Sequence, residues 1–326
     1  MRTIRTILSI LGATMLLNSC EFDFEVSSNA KPGLYVQCMA DEGEQKLFMK
    51  LQYAAPAQGN THDIPALSLE SLRASVDGQE LSIEYIPDSC YLAACQLEPG
   101  KEIRLSVEAK GLAPVSATCR VPSRISLKGM THKADTLMMV PMNVLTLEFD
   151  RELRDDEFIA VRLERTSWFE GDSVKVETLS PMLDFGSSTE VETAQIRFPS
   201  PFLIEARGDS TKVTVIPGSG IKGSTVELTS AEFREAMDGM PMPQMPGAAP
   251  LPDPEPRPEL LKQEYTATAW TVTESFYRYS LASYKSKSDF MAMMGLAPAN
   301  FAWSNIRGGF GLCGAFVPAG VARVEP

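Results

Sequence analysis

A recurring period of two constrains this chain more than any other feature. Leu34, Val36 and Cys38 alternate with Tyr35 and Gln37. Leu47, Met49, Leu51 and Tyr53 alternate with Phe48, Lys50 and Gln52. A strand sends successive side chains to opposite faces, so such alternation marks half-buried strands. Residues 72–76 and 81–86 flank Asp77-Gly78, a pair suited to the positive φ of a tight hairpin. Residues 91–97 and 103–109 flank Pro99-Gly100, and 116–121 closes the run before Pro122. Short strands with a turn signal about every 8–12 residues imply an immunoglobulin-like β-sandwich over 32–123.

A second block spans 124–326. Strand patterns occur at 145–149, 158–165, 174–178, 194–198, 202–206, 212–216 and 266–272. Thr229 with Glu232 three residues on forms a capping box that predicts a helix over 229–237, stopped by Gly239. Thr273 is the candidate N-cap of a longer helix from 274 to about 294, with Tyr277, Leu281 and Tyr284 along one face. Between these helices, 237–258 carries eight prolines and four methionines, the composition of an exposed, semi-rigid loop. The glycine-rich, apolar tail at 302–317 reads as a final strand with a bulge or tight bend. The expected fold class is mainly β: an N-terminal immunoglobulin-like β-sandwich followed by a larger β-rich domain with one or two helices.

Residues 1–19 have the form of a signal peptide. Arg2 and Arg5 precede an apolar stretch over 7–17, shorter than the roughly 20 residues that span a bilayer. Leu17, Asn18, Ser19 and Cys20 form a lipobox. The expected mature chain begins at Cys20, carries acyl chains there, palmitate included, and reaches its folded body through a tether at 20–31. No second apolar stretch is long enough to cross a bilayer, so the lipid is the expected anchor and the membrane the expected partner. Glu21, Asp23 and Glu25 alternate with Phe22 and Phe24 beside the lipid site. Such acids resemble export signals that send lipoproteins to the cell-surface side of the outer membrane; the periplasmic face is the alternative. The formal net charge of −12 argues against nucleic acid as a partner.

Five cysteines follow Cys20: Cys38, Cys90, Cys95, Cys119 and Cys313. An odd number leaves at least one thiol free or paired between chains. Cys90 with Cys95 across a hairpin, Cys38 with Cys119 at the first and last strands of the sandwich, and buried reduced thiols are all open readings. His62 and His132 are the only histidines, both expected in loops, with no zinc-hydrolase helix motif and no nucleophile elbow. Glu152, Asp155, Asp156 and Glu157 lack the spacing of a calcium loop and read as a solvated acidic turn. Met237, Met240, Met242 and Met245 offer soft ligands that suit Cu(I), or are simply tolerated in a surface loop. Gly308-Gly309-Phe310-Gly311 lacks the Lys-Ser/Thr and the helix of a phosphate loop. A glycosidase needs two carboxylates about 5–10 Å apart, and no pair is singled out. No catalytic residue, cofactor or metal ligand is assigned.

Several phrases together resemble a known family. They are the lipobox, the early strand LYVQCMA, the SATCRVP segment, and the strand Leu147-Glu148-Phe149-Asp150. The ending is the most specific: Thr-Glu-Ser-Phe-Tyr-Arg-Tyr opening a helix, then Ser304, Asn305, Ile306, Gly308, Gly309, Gly311 and Gly314. The chain resembles the lipoproteins of Bacteroidota catalogued as domain of unknown function 4249. The resemblance implies a surface or periplasmic lipoprotein, often associated with TonB-dependent outer-membrane transporters, with no established activity and a structural role for the final motif. Two departures are Asp156-Glu157-Phe158, where the family has Asn-Tyr-Tyr, and the Met/Pro-rich loop. The expected function is a non-enzymatic binding or accessory subunit of such a transporter system. Alternatives are a surface hydrolase acting on glycan or peptide, and an adhesin or structural surface protein.

Overall fold

The alternating segments fold as strands. The computed structural model describes residues 32–54, 67–86, 90–137, 140–171, 173–179, 182–183, 194–197, 212–221, 223–231, 258–288 and 303–326. The first part supplies β1 (Gly33–Asp41), β2 (Lys46–Ala54), β3 (Leu69–Val76), β4 (Gln79–Glu80), β5 (Glu84–Ile86), β6 (Cys90–Ala94), β7 (Glu102–Ala109) and β8 (Val115–Arg120). The second supplies β9 (Leu127–Leu137), β10 (Val140–Phe149), β11 (Phe158–Phe169), β12 (Ser173–Thr178), β13 (Met182–Leu183), β14 (Ala194–Arg197), β15 (Lys212–Pro217), β16 (Thr225–Ala231), β17 (Leu260–Val272) and β18 (Phe310–Val324). Among the described residues one α-helix stands beside them, α1 (Glu274–Ser288). The fold is mainly β, in several open sheets.

A ten-stranded sheet is the spine, in the order β14-β15-β11-β17-β18-β1-β2-β6-β5, with β12 also paired to β11. Strands from both sides of position 123 share it, because the first strand lies beside the last. β1 runs parallel to β18, with Val36 opposite Gly311 and Cys38 opposite Cys313. A parallel pair inside a sheet is covered on both faces and needs near-continuous apolar sequence. β1 has it: every residue but Tyr35 is buried.

Alternate side chains of the spine enter different cores. On one face, Val36, Cys38, Leu47, Met49 and Ala315 pack against Ile103, Leu105, Val107 and Ala117 of the β4-β3-β7-β8 sheet. On that same face, Ile159, Val161, Leu163 and Ala267 meet Leu145, Leu147, Val226 and Leu228 of the β13-β16-β10-β9 sheet. The opposite face carries Met39, Ala160, Val215, Trp270, Leu312 and Phe316, and α1 covers it through Phe276. Each fully buried aliphatic or aromatic side chain contributes about 1.5–3 kcal/mol.

Several local expectations are corrected. The hairpin expected over 72–86 is cut short: β3 and β4 pair only through Ser75–Glu80 and Val76–Gln79, and the chain then crosses to the spine as β5. Likewise 91–97 and 103–109 do not pair, since β6 joins β2 and β5 while β7 joins β3 and β8. The Gln45 side chain steadies that crossing, accepting from Leu97 N at 2.7 Å and donating to its carbonyl at 3.1 Å. Cys90 and Cys95 therefore lie along one strand and just past its end, not across a hairpin, and among the described residues no disulfide links Cys38, Cys95, Cys119 or Cys313.

Thr229, Ser230 and Ala231 are strand, paired to Val144, Asn143 and Met142. A capping box satisfies two backbone groups locally, whereas the ladder on β10 satisfies a run of them and buries Val226 and Leu228. Residues 232–237 lie outside the described part. His132 is not in a loop. It sits in β9 opposite Leu145, its Nε2 lies 2.7 Å from Asn143 Oδ1, and it stacks on Tyr265 at 5.3 Å. The cap of α1 is as expected, with Phe276 N donating to Thr273 Oγ1 at 3.3 Å. Its buried stripe is Phe276 and Ser280, however, while Tyr277 and Leu281 are only partly buried.

Candidate functional site

The end of β8, the connection through Pro122 and Ser123, the turn before β11 and the β17–α1 junction enclose a cleft of about 780 Å³. Each wall follows from a local rule. Pro122 cannot donate to a ladder, so β8 stops there. Thr273 ends β17 and opens α1 as its cap, and Ser275 ties the first turn to β18 by donating to the Cys313 carbonyl at 2.8 Å. The turn before β11 carries Arg151, Arg154, Asp156 and Glu157.

Glu157 is the exception in that turn. Asp155 and Asp156 are exposed, as a solvated acidic turn requires, but Glu157 is 6% exposed. Its carboxylate takes Arg151 in bidentate fashion at 2.6 and 2.7 Å, Arg154 N at 2.9 Å, Arg154 Nη2 at 3.0 Å and Ser123 Oγ at 2.5 Å. Burial pushes this carboxyl up, but the Arg151 hydrogen bonds, the Arg154 N–H, Ser123 and the Arg151 charge outweigh it and hold it down at about 2. Sequence reasoning missed this group. Its signal was the pair of arginines six and three residues earlier, a spacing that a tight turn folds onto one carboxylate. Elsewhere along the cleft Asp156 is exposed, and Glu274 is exposed and paired with Arg278 at 2.6 Å. Among the described residues no group of three or more His, Cys, Asp or Glu side chains is arranged to hold a metal ion.

The residues singled out at the C-terminal end gather where the spine meets the β4-β3-β7-β8 sheet. Ser304 Oγ accepts from Ile306 N at 3.2 Å, and Ile306 is buried in the core between those sheets. Asn305 brackets Cys313, accepting from its N–H at 2.8 Å and donating to its carbonyl at 2.7 Å. Arg307 and Ser116 exchange backbone hydrogen bonds at 2.8 and 3.0 Å, which joins this segment to β8. Gly308 (φ 79°) leaves no space for a side chain beside the Pro114 carbonyl. Gly309 lies against Leu34 and Val115, and Gly314 against Thr273. Phe310 is half exposed, and its ring covers Gly33. The glycine phrase thus opens a strand in the interior of the spine. Leu17, Asn18, Ser19, Cys20, His62 and the four methionines at 237–245 lie outside the described residues.

The family model for "Domain of unknown function (DUF4249)" matches residues 20–319. The chain belongs to this family. The DUF4249 match covers the cleft, the glycine-rich seam and nearly all of the three buried clusters. No curated protein matches the chain. Among solved structures, the Yersinia pseudotuberculosis adhesin InvE is similar at 13% identity, over 74% of this chain and 55% of that one, with a TM-score of 0.18. This DUF4249 chain thus spans little more than half of that adhesin structure. A structure of manganese lipoxygenase of Gaeumannomyces graminis with part of zonadhesin of Komagataella pastoris is similar at 10% identity, over 74% and 89% of the two chains, with a TM-score of 0.12. At these scores neither likeness bears on fold or function.

Proposed function

We propose that this DUF4249 protein is a lipid-anchored outer-membrane protein that works by association, as a binding or accessory subunit of a TonB-dependent transporter system at the cell surface. The leader and lipobox ending at Cys20 support the anchor. The resemblance to lipoproteins of Bacteroidota supports the partner class. The observation that favours binding over hydrolysis is the state of Glu157. A glycosidase acid must hold a proton near neutral pH, and its partner must be free to attack or to take one. Glu157 does neither: both oxygens are occupied, and at about 2 it is a very weak base. A cleft whose buried carboxylate is neutralised by arginines suits recognition of a polar ligand or peptide.

A second surface supports association. Val174 and Val176 are more than half exposed on β12. Among the described residues that strand is paired only to β11. Apolar side chains on an open strand edge suit docking of another β-structure.

Two measurements test the reading. Cys20→Ala moves the chain from the membrane pellet to the soluble fraction; a variant that still pellets after a high-salt wash removes the lipid from the proposal. Crosslinking in intact cells followed by affinity purification recovers an integral outer-membrane protein, and Val174→Lys with Val176→Glu lowers that recovery several-fold without altering thermal melting. Recovery of no membrane protein, together with turnover of a glycan or peptide by the purified chain, replaces the proposal with the hydrolase.

A further inference from the structure

We propose that Cys119 and Cys313 form a disulfide that staples the β4-β3-β7-β8 sheet to the ten-stranded spine, made by exchange with a protein disulfide that reaches Cys119 through the cleft. Cys119 lies on β8 and Cys313 on β18, in facing layers of one sandwich. Their sulfurs are 3.4 Å apart, already in S–H···S contact. A disulfide needs about 2.05 Å, so closure requires about 1.4 Å of approach, within reach of small side-chain rotations.

Exposure assigns the roles. Cys313 and Cys38 are fully buried, whereas Cys119 is partly buried and lines the cleft. A thiol reagent arriving from solvent therefore meets Cys119 first. Cys313 waits behind it, its backbone fixed by both polar atoms of the Asn305 amide and by Ser275. Cys38, its neighbour in the parallel ladder, is hydrogen-bonded to it as well. Hydrogen bonding to Cys119 and Cys38 pushes the Cys313 thiol well down, while hydrogen bonding to Cys313 and burial push those two up. Cys313 therefore faces, at 3.4 Å, the sulfur it must attack.

The exchange balances without any other reactant. Cys119 attacks one sulfur of the incoming disulfide; that S–S bond breaks, a mixed disulfide forms on Cys119, and the Cys119 proton ends on the released thiol. Cys313 then attacks the Cys119 sulfur. The mixed disulfide breaks, the Cys119–Cys313 bond forms, and the second oxidant thiol leaves with the Cys313 proton. Two protein thiols are oxidised and one disulfide is reduced to two thiols. The thiols of Cys38, Cys90 and Cys95 take no part in the exchange.

The inference is independent of the membrane assignment, since it concerns the folded chain alone. The full chain, purified reduced in detergent, is incubated under native conditions with oxidised glutathione as the disulfide probe. The expected result is the loss of two alkylatable thiols and of two hydrogens from the intact mass. Non-reducing peptide mapping then joins the peptide holding Cys119 to that holding Cys313. The crosslink closes a span of 194 residues, so the oxidised form melts several degrees higher and returns to the reduced value with dithiothreitol. Cys38→Ser still forms the link, which shows that the third thiol is dispensable. Retention of every thiol in the folded wild-type chain, or a link joining Cys38 to either partner instead, overturns the proposal without touching the proposed function.

Discussion

Gly311→Val leaves the chain without a stable fold, and even Gly311→Ala lowers the melting temperature by more than any substitution at an exposed turn. Gly311 has φ 119°, a backbone conformation that side-chain-bearing residues rarely adopt. A Cβ there would lie inside the contact shell of the Val36 carbonyl oxygen, its register partner on β1. The neighbour cannot yield, because it is backbone in a central strand buried on both faces. Strain of about 1–3 kcal/mol adds to overpacking of about 1–3 kcal/mol. Together they approach the roughly 5–15 kcal/mol that holds a domain folded. The control is Gly78→Ala, where φ is 81° but nothing lies within 4 Å; it should cost only about 1 kcal/mol. Thermal and chemical denaturation compare the two. A Gly311→Ala chain that melts within about a degree of wild type would show that β1 and β18 do not pack as described.

Glu157→Gln should cost roughly 2–3 kcal/mol at neutral pH, and the cost should vanish in acid. The folded carboxyl sits at about 2 against an ordinary value of 4.5. A depressed acid contributes stability that is complete above its unfolded value and is lost as pH falls through the folded one. Each pKa unit corresponds to about 1.4 kcal/mol. Arg151 and Arg154 reach solvent, at 37% and 65% exposure, so part of the gain is screened. The amide keeps the shape but offers its NH2 where a carboxylate oxygen met a guanidinium, leaving a buried mismatch. Urea titrations of wild type and variant at several pH values test this. The gap between them should be full above pH 5 and close progressively from about 4.5 towards 2. Glu177 is also held down: burial raises it, but Lys175 and Arg165 outweigh that. The difference between the two chains, not the acid sensitivity of either, therefore reports Glu157. A gap that is the same at every pH would mean that packing, not charge, holds the turn.

The sequence by itself determined the strands as local objects. The alternation of Ile103, Leu105, Val107 and Ala109 with polar residues marks β7, and the structure buries those four. Asp77 and Gly78 take the positive φ their turn requires, and Thr273 caps α1. Each depends on neighbours a few residues away, so each is written in a short window of sequence. The pairing of strands is not. That β1 lies beside β18, that β6 and β7 belong to different sheets, and that β16 overrides a capping box are outcomes of competition for partners far away in the chain. The same holds at the site. Glu157 reads like Asp155 and Asp156 until the turn folds two arginines and Ser123 around it. Cys313 reads like any apolar residue of a final strand until the parallel ladder sets it beside Cys38, with Cys119 facing it. Period two states which face of a strand is apolar; only the burial of that face against a particular neighbour decides what it meets, because the hydrophobic effect rewards area removed from water and not the identity of the partner.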